Sequence, residues 1–205
     1  MNSRLFILAG LALTAAAGLY FIIIAGPRSP KRTETPPAAQ SSESTETQTS
    51  ETERDRVIDA RRARRAPELG DGTWINSEPL TVEGLRGRVV LVDFWTFGCY
   101  NCRNTLPALK RFHERYNRQG LTIVGVHSPE FEGEKNIDNV RREVRSLGIL
   151  YPVLTDNDYL TWNAYGVNAW PTVLILDKQG RIRWMHIGEG LYDEQEGIIR
   201  KLLDE

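Results

Sequence analysis

Two kinds of hydrophobic pattern divide this chain. Near the amino end, Leu5 to Ala25 (LFILAGLALTAAAGLYFIIIA) runs for 21 residues without a charge, long enough as a helix to cross about 30 Å of hydrocarbon. From about residue 67 the apolar positions instead come as short β-branched runs between amphipathic stretches. RVVLVDFW reads as a buried strand, NTLPALKRFHERYNRQG as a helix, LTIVGVH as a strand and NIDNVRREVRSLGI as a helix. The series continues with strand YPVLT, short helix DYLTWNAYG, strand TVLILD, turn DKQG, strand RIRWMHIG and a terminal helix after Asp193. Gly120 and Gly148 stand where helices should stop, and Asp177 to Gly180 suits a hairpin turn. This order predicts an α/β domain over residues 67–205, a central sheet flanked by helices, with no repeat period to suggest a solenoid or propeller.

Between the two patterns, residues 27–66 change character. Thr33 to Arg54 (TETPPAAQSSESTETQTSETER) holds no aromatic residue and no aliphatic one larger than alanine, so it cannot bury enough apolar surface to offset the entropy of ordering. The expectation is a disordered linker ending in the basic segment RVIDARRARRA. Arg61, Arg62, Arg64 and Arg65 are read there as a solvated face, with contact to anionic lipid as the alternative. Residues 1–26 are read as a membrane anchor; a cleaved signal peptide is the alternative, because Ala15, Ala16 and Ala17 are small enough for a cleavage site, although LYFIII follows them. Arg4 on one flank faces Arg28, Lys31 and Arg32 on the other, so flanking charge leaves orientation open.

Composition narrows the chemistry. A formal charge of -1 and an isoelectric point near 6.3 lack the basic footprint of a nucleic-acid binder. With only two cysteines in 205 residues, a disulfide scaffold is excluded and any disulfide is a specific device. Both cysteines lie in FGCYNCRNTLP, immediately after the predicted strand. There the amide dipoles of the starting helix point at Cys99 and stabilise its thiolate. Cys99 is therefore the expected nucleophile and Cys102, in the first turn, the expected resolving thiol. Two other readings stand beside this one. A zinc site lacks ligands, since only His113, His127 and His186 accompany the pair and none has ligand spacing; small apolar filling is the remaining option.

The tract from about Ala66 to the C-terminus resembles the thioredoxin-like domain of DipZ-type membrane thiol-disulfide proteins. The motifs that carry the likeness are FWTFGCYNCRNTLP, GVHSPEFEGEK, YPVLTDNDYLTWNAYG, WPTVLILDKQGRIRW and GEGLYDE. It is similar more loosely to TlpA-like reductases and to the thioredoxin-like part of NHL-repeat proteins. The resemblance implies a thioredoxin-like fold with a mixed sheet and a redox-active Cys99–Cys102 disulfide with no other cofactor and no metal. It makes Asp93 a buried acid that moves the proton of the resolving thiol. Pro107 matches the proline of the first active-site helix, and Pro171 the cis-proline facing the cysteines. Trp170 offers backbone to a substrate peptide, and Gly98 and Trp95 flank the site as further substrate contacts.

Departures are as informative. Gly98 stands where most relatives carry Trp, and Thr105 where many TlpA-like reductases carry an acid, which argues against a cytochrome-specific role. Two alternatives are kept: a peroxiredoxin-like peroxidase, for which Thr96 fits the PxxxTxxC pattern but Val92 stands at the proline position, and a tethered non-enzymatic binding or copper-delivery module, although copper carriers of similar fold use CxxxC rather than CxxC. His127 and Glu130 fall at the end of a predicted strand, where sheet ligands gather. The resulting expectation is a single-pass protein of the inner or cell membrane with its catalytic domain outside the cytoplasm. It reduces protein disulfides with electrons from a separate membrane donor, since Tyr100-Asn101 supplies no cation to favour a strongly oxidising pair.

Overall fold

A computed structural model describes residues 57–205. The anchor expected over residues 1–26 and most of the linker expected over residues 27–66 lie outside the described residues. Among the described residues no helix is long and apolar enough to cross a membrane.

Six strands form one sheet: β1 (Trp74–Ile75), β2 (Val89–Trp95), β3 (Leu121–His127), β4 (Val153–Thr155), β5 (Thr172–Leu176) and β6 (Ile182–Ile187). Their spatial order is β1-β4-β3-β2-β5-β6. β2, β3 and β4 run parallel, while β1, β5 and β6 pair antiparallel with their neighbours, so the sheet is mixed. The helices are α1 (Tyr100–Tyr116), α2 (Ile137–Ser146), α3 (Leu160–Tyr165) and α4 (Tyr192–Asp204).

β2 is central, and all seven of its residues are buried, which is why VVLVDFW reads as a continuous apolar run rather than an alternating one. Strand parity sorts its side chains. Val89, Leu91 and Trp95 pack with Leu106, Leu109 and Phe112 of α1, Val140 and Val144 of α2, and Ile198, Ile199 and Leu202 of α4. Val90, Val92 and Phe94 face the opposite layer, with Trp162 and Tyr165 of α3 and Val82 and Leu85 of the preceding loop. Gly120 and Gly148 adopt φ of +113° and +63° behind their helices, the left-handed conformation glycine adopts without a side-chain clash.

α2 begins at Asn136, whose Oδ1 accepts from the backbone N–H of Asp138 at 2.9 Å and of Asn139 at 3.2 Å. Asn136→Ala removes this cap and is expected to lower stability by about 1 kcal/mol, read as a shifted urea midpoint with unchanged slope.

Residues 57–66 correct the expected boundary. The end of the presumed linker runs along β6: Ile58 donates its N–H to the Arg183 carbonyl at 2.8 Å, Ile182 to that of Arg64 at 2.9 Å, and Ala66 to that of Gly180 at 2.9 Å. Val57 is buried and Arg183 Nε returns a bond to the Ile58 carbonyl at 2.6 Å. Backbone pairing of this kind does not depend on side-chain polarity, so a basic composition does not prevent it. Arg61, Arg62, Arg64 and Arg65 remain exposed.

Candidate active site

The parallel pairing of β2 with β3 and its antiparallel pairing with β5 bring three chain segments to one end of the sheet. β2 ends at Trp95 opposite His127, and Phe94 lies opposite Thr172. Antiparallel continuation therefore sets Trp170 and Pro171 beside the loop of residues 96–98 that leads into α1. Trp170-Pro171 is a cis peptide, and the Pro171 carbonyl accepts from the Gly188 N–H at 2.8 Å.

Cys99 is the N-cap of α1 and is joined to Cys102 by a disulfide. The Cys102 N–H donates to Cys99 Sγ at 3.2 Å, so a first-turn amide already points at that sulfur. Cys99 is partly exposed, whereas Cys102 is 1 % exposed. α1 carries no acidic residue in its first turn. A thiolate on Cys99 would thus face unpaired helix-end amides and solvent, the environment that lowers a thiol pKa.

Asp93 is 1 % exposed on the α1 side of β2, the face that also holds Cys102's packing neighbours Leu91 and Trp95. Neither carboxylate oxygen has a protein partner, and burial pushes its pKa up to about 7. Its register partner on β3 is Gly125. A β-carbon there would meet Trp95 Nε1 at 2.9 Å and the Tyr151 ring at 3.2 Å, so the glycine leaves room for both rings beside the acid. Burial, and then the charge of Asp93, raises the Tyr151 hydroxyl well above the ordinary tyrosine range.

Two of the expected substrate contacts change in meaning. Trp95 is fully buried, so it cannot meet a substrate. Strand parity turns it into the α1 layer, where its ring lies edge-on to His127 with centroids 5.2 Å apart. Trp170 is half-buried, its Nε1–H donates to the Ser128 carbonyl at 3.0 Å, and its ring lies 4.4 Å from that of Trp162. Its indole is therefore an anchor for the proline loop. Gly98 is exposed directly before Cys99.

His127 lies beneath the active-site loop rather than at its surface. It is fully buried, stacks on Phe97 at 5.4 Å and sits 3.3 Å from Thr96 Oγ1 through Nε2. Burial holds its pKa down at about 4, against the opposing charge of Glu134, so it is neutral at physiological pH. Glu130 is exposed, and it is its backbone N–H that enters the network.

The acceptor of that bond is Glu134, a residue the sequence reading did not single out. Its side chain is 3 % exposed; Oε1 accepts from Gly98 N–H at 2.9 Å, and Oε2 from Glu130 and Phe131 N–H at 2.6 and 3.0 Å. Burial opposes its ionisation, but the Phe131 amide, the Thr96 hydroxyl and the Glu130 and Gly98 amides outweigh it and hold the carboxyl below its ordinary range. A β-carbon on residue 98 would run into Glu134 Oε1, which explains glycine at this position. The only signal in the sequence was the placement of Glu134 inside GVHSPEFEGEK. Among the described residues no group of three or more His, Cys, Asp or Glu side chains is arranged to hold a metal.

The comparisons with known proteins agree with this geometry. A family profile described as thioredoxin-like matches residues 87–182. The chain is 39 % identical over 144 residues to Protein DipZ of Mycobacterium tuberculosis, covering 68 % of this chain but 21 % of that protein. It is 26 % identical over 140 residues to the thiol-disulfide oxidoreductase YkuV of Bacillus subtilis, covering 68 % of this chain and 94 % of that one. A crystal structure of a thiol-disulfide isomerase from Corynebacterium glutamicum superposes with a TM-score of 0.62 at 27 % identity, covering 68 % of this chain and 97 % of that one. The chain thus spans about a fifth of the length of the first curated relatives it matches. Residues 87–182, which hold the Cys99–Cys102 pair, thus match a thioredoxin-like domain.

Proposed function

We propose that this chain is a membrane-anchored thiol-disulfide oxidoreductase that reduces protein disulfides outside the cytoplasm. The observation that carries this reading is the asymmetry of the pair: Cys99 partly exposed at the first amides of α1, Cys102 buried behind it. In the dithiol form the Cys99 thiolate attacks one sulfur of a substrate disulfide. A mixed disulfide forms, and the other substrate sulfur leaves as a thiolate and takes a proton. Cys102 passes its proton toward Asp93, whose pKa near 7 suits it to hold a proton in one half-cycle and release it in the next. Cys102 then attacks Cys99 Sγ, restoring the Cys99–Cys102 disulfide and releasing the reduced substrate. Two electrons and two protons from a separate membrane donor reset the pair.

The backbone at Trp170-Pro171, beside the loop of residues 96–98, is the place for a substrate strand to lie, while the uncharged run Leu5 to Ala25 supports the anchor. Disulfide chemistry favours an exocytoplasmic domain, and protease access in sealed cells tests that side directly. The functional test is the reduction potential of the pair in the full chain, read by mass after alkylation in defined thiol buffers. A value near or below roughly -250 mV is expected for a reductant; one near about -120 mV would make the chain a disulfide donor instead. A pair that never interconverts would remove the oxidoreductase reading.

A further inference from the structure

Glu134 belongs to a loop 36 positions from Gly98 in sequence, yet its carboxylate closes on the backbone that presents Cys99. The Thr96 side chain interacts with this carboxylate, and its Oγ1 lies 3.3 Å from His127 Nε2. His127, Thr96 and Glu134 thus form one buried polar cluster beneath residues 96–98. Cys99 itself donates its N–H to the Thr96 carbonyl at 3.3 Å, so both ends of the short loop before the nucleophile are held by this cluster.

We infer that Glu134 is a positioning residue for the redox reaction of Cys99, holding the Gly98 backbone and, as a fixed buried anion, biasing the pair toward the disulfide. The inference rests on the redox reading of the pair. A Cys99 thiolate exists only in the reduced form; the disulfide is neutral. A negative charge bonded one residue away therefore penalises the reduced form alone. The other ionisable groups nearby add less to this bias at neutral pH. His127 is uncharged, and Asp93 is charged only in part. Arg103 and Glu189, the latter bonded to Asn104 Nδ2 at 2.9 Å, are exposed, where solvent screens their charge. The unpaired amides of α1 pull the other way, toward thiolate, and Glu134 offsets them.

The test compares the full-length chain with its Glu134→Gln variant in two assays. One is the equilibrium with glutathione at a pH above the alkylation midpoint of the parent's Cys99, and the other is that midpoint itself. In the equilibrium, glutathione is oxidised as the Cys99–Cys102 bond breaks. Glu134→Gln is expected to shift it about tenfold toward the dithiol and to lower the alkylation midpoint by about one pH unit. A merely structural glutamate would move neither. If the variant does not fold, Gly98→Ala takes its place: its methyl group displaces Oε1, and it should shift the equilibrium in the same direction by a smaller factor. Parent-like equilibrium and midpoint in the folded variant overturn the inference while leaving the redox reading intact. A parent pair that does not exchange with glutathione at all overturns the redox reading first.

Discussion

A chain carrying Cys102→Ser accumulates as a covalent adduct with a disulfide substrate, while Cys99→Ser forms none, and both lose turnover by at least about 1,000-fold. The asymmetry follows from exposure. Cys99 sits at the helix start with a surface open to a partner, and the 1 % exposure of Cys102 leaves no path for a protein disulfide to reach it. Without Cys102 the mixed disulfide has no internal sulfur to displace it, and its lifetime is set by thiols from solution. Incubation with oxidised glutathione followed by intact mass checks this. An adduct on Cys99→Ser would reverse the roles, and retained turnover in either variant would deny them.

Asp93→Asn is expected to stabilise the protein at alkaline pH while slowing release of the mixed disulfide by about 100-fold. The stability effect follows from linkage. The folded-state pKa of Asp93, about 7, lies above its ordinary value of 3.8. The folded protein therefore binds this proton more tightly than the unfolded chain. The stability it contributes is complete below the unfolded pKa and is lost as pH rises through the folded one. Between pH 5 and pH 8 the parent should lose on the order of 2–3 kcal/mol from this group alone. Asn has the same shape and no charge to desolvate, so the variant should be nearly flat over that window and the more stable of the two at pH 8. Urea midpoints at the two pH values measure this. A parent whose stability does not fall would place a compensating cation or solvent at the carboxylate. Resolution that proceeds at the parental rate would remove Asp93 from the proton path.

The succession of strands and helices from Val89 onward was legible because each element is long enough to show its period. β1 was not, because Trp74–Ile75 is only two residues, too short for any alternation. It is fixed by Asn76, which has a φ of +67° and donates to the carbonyls of Ile149 and Tyr151 at 2.9 and 3.1 Å, contacts with no local signature. The cysteines could be read in place because their chemistry is set by the strand-to-helix junction they occupy, a local property. Trp95 was misplaced although the information was present: Val89, Leu91, Asp93 and Trp95 share one side of a strand, and the same parity that buries the acid buries the indole. Glu134 was hidden for the opposite reason. Its partners, Gly98 and Thr96, are brought to it by the crossover between β2 and β3, and one glutamate among several in an acidic loop carries no mark of that.

The strip of backbone that residues 57–66 lay along β6 has a practical consequence for anyone dividing this protein. β6 is the outer strand of the sheet on that side, and its side chains include the exposed Met185 and Ile187. Cutting the chain at residue 67, where composition would place the border, strips the partners from the Gly180 and Arg183 carbonyls and the Ile182 amide. It also removes the Ile58 carbonyl that receives Arg183 Nε. What remains is a bare apolar ribbon edge, the template on which separate molecules zip together and precipitate. The domain as an excisable unit therefore includes residues 57–66, which serve as a selvedge that keeps the sheet from growing.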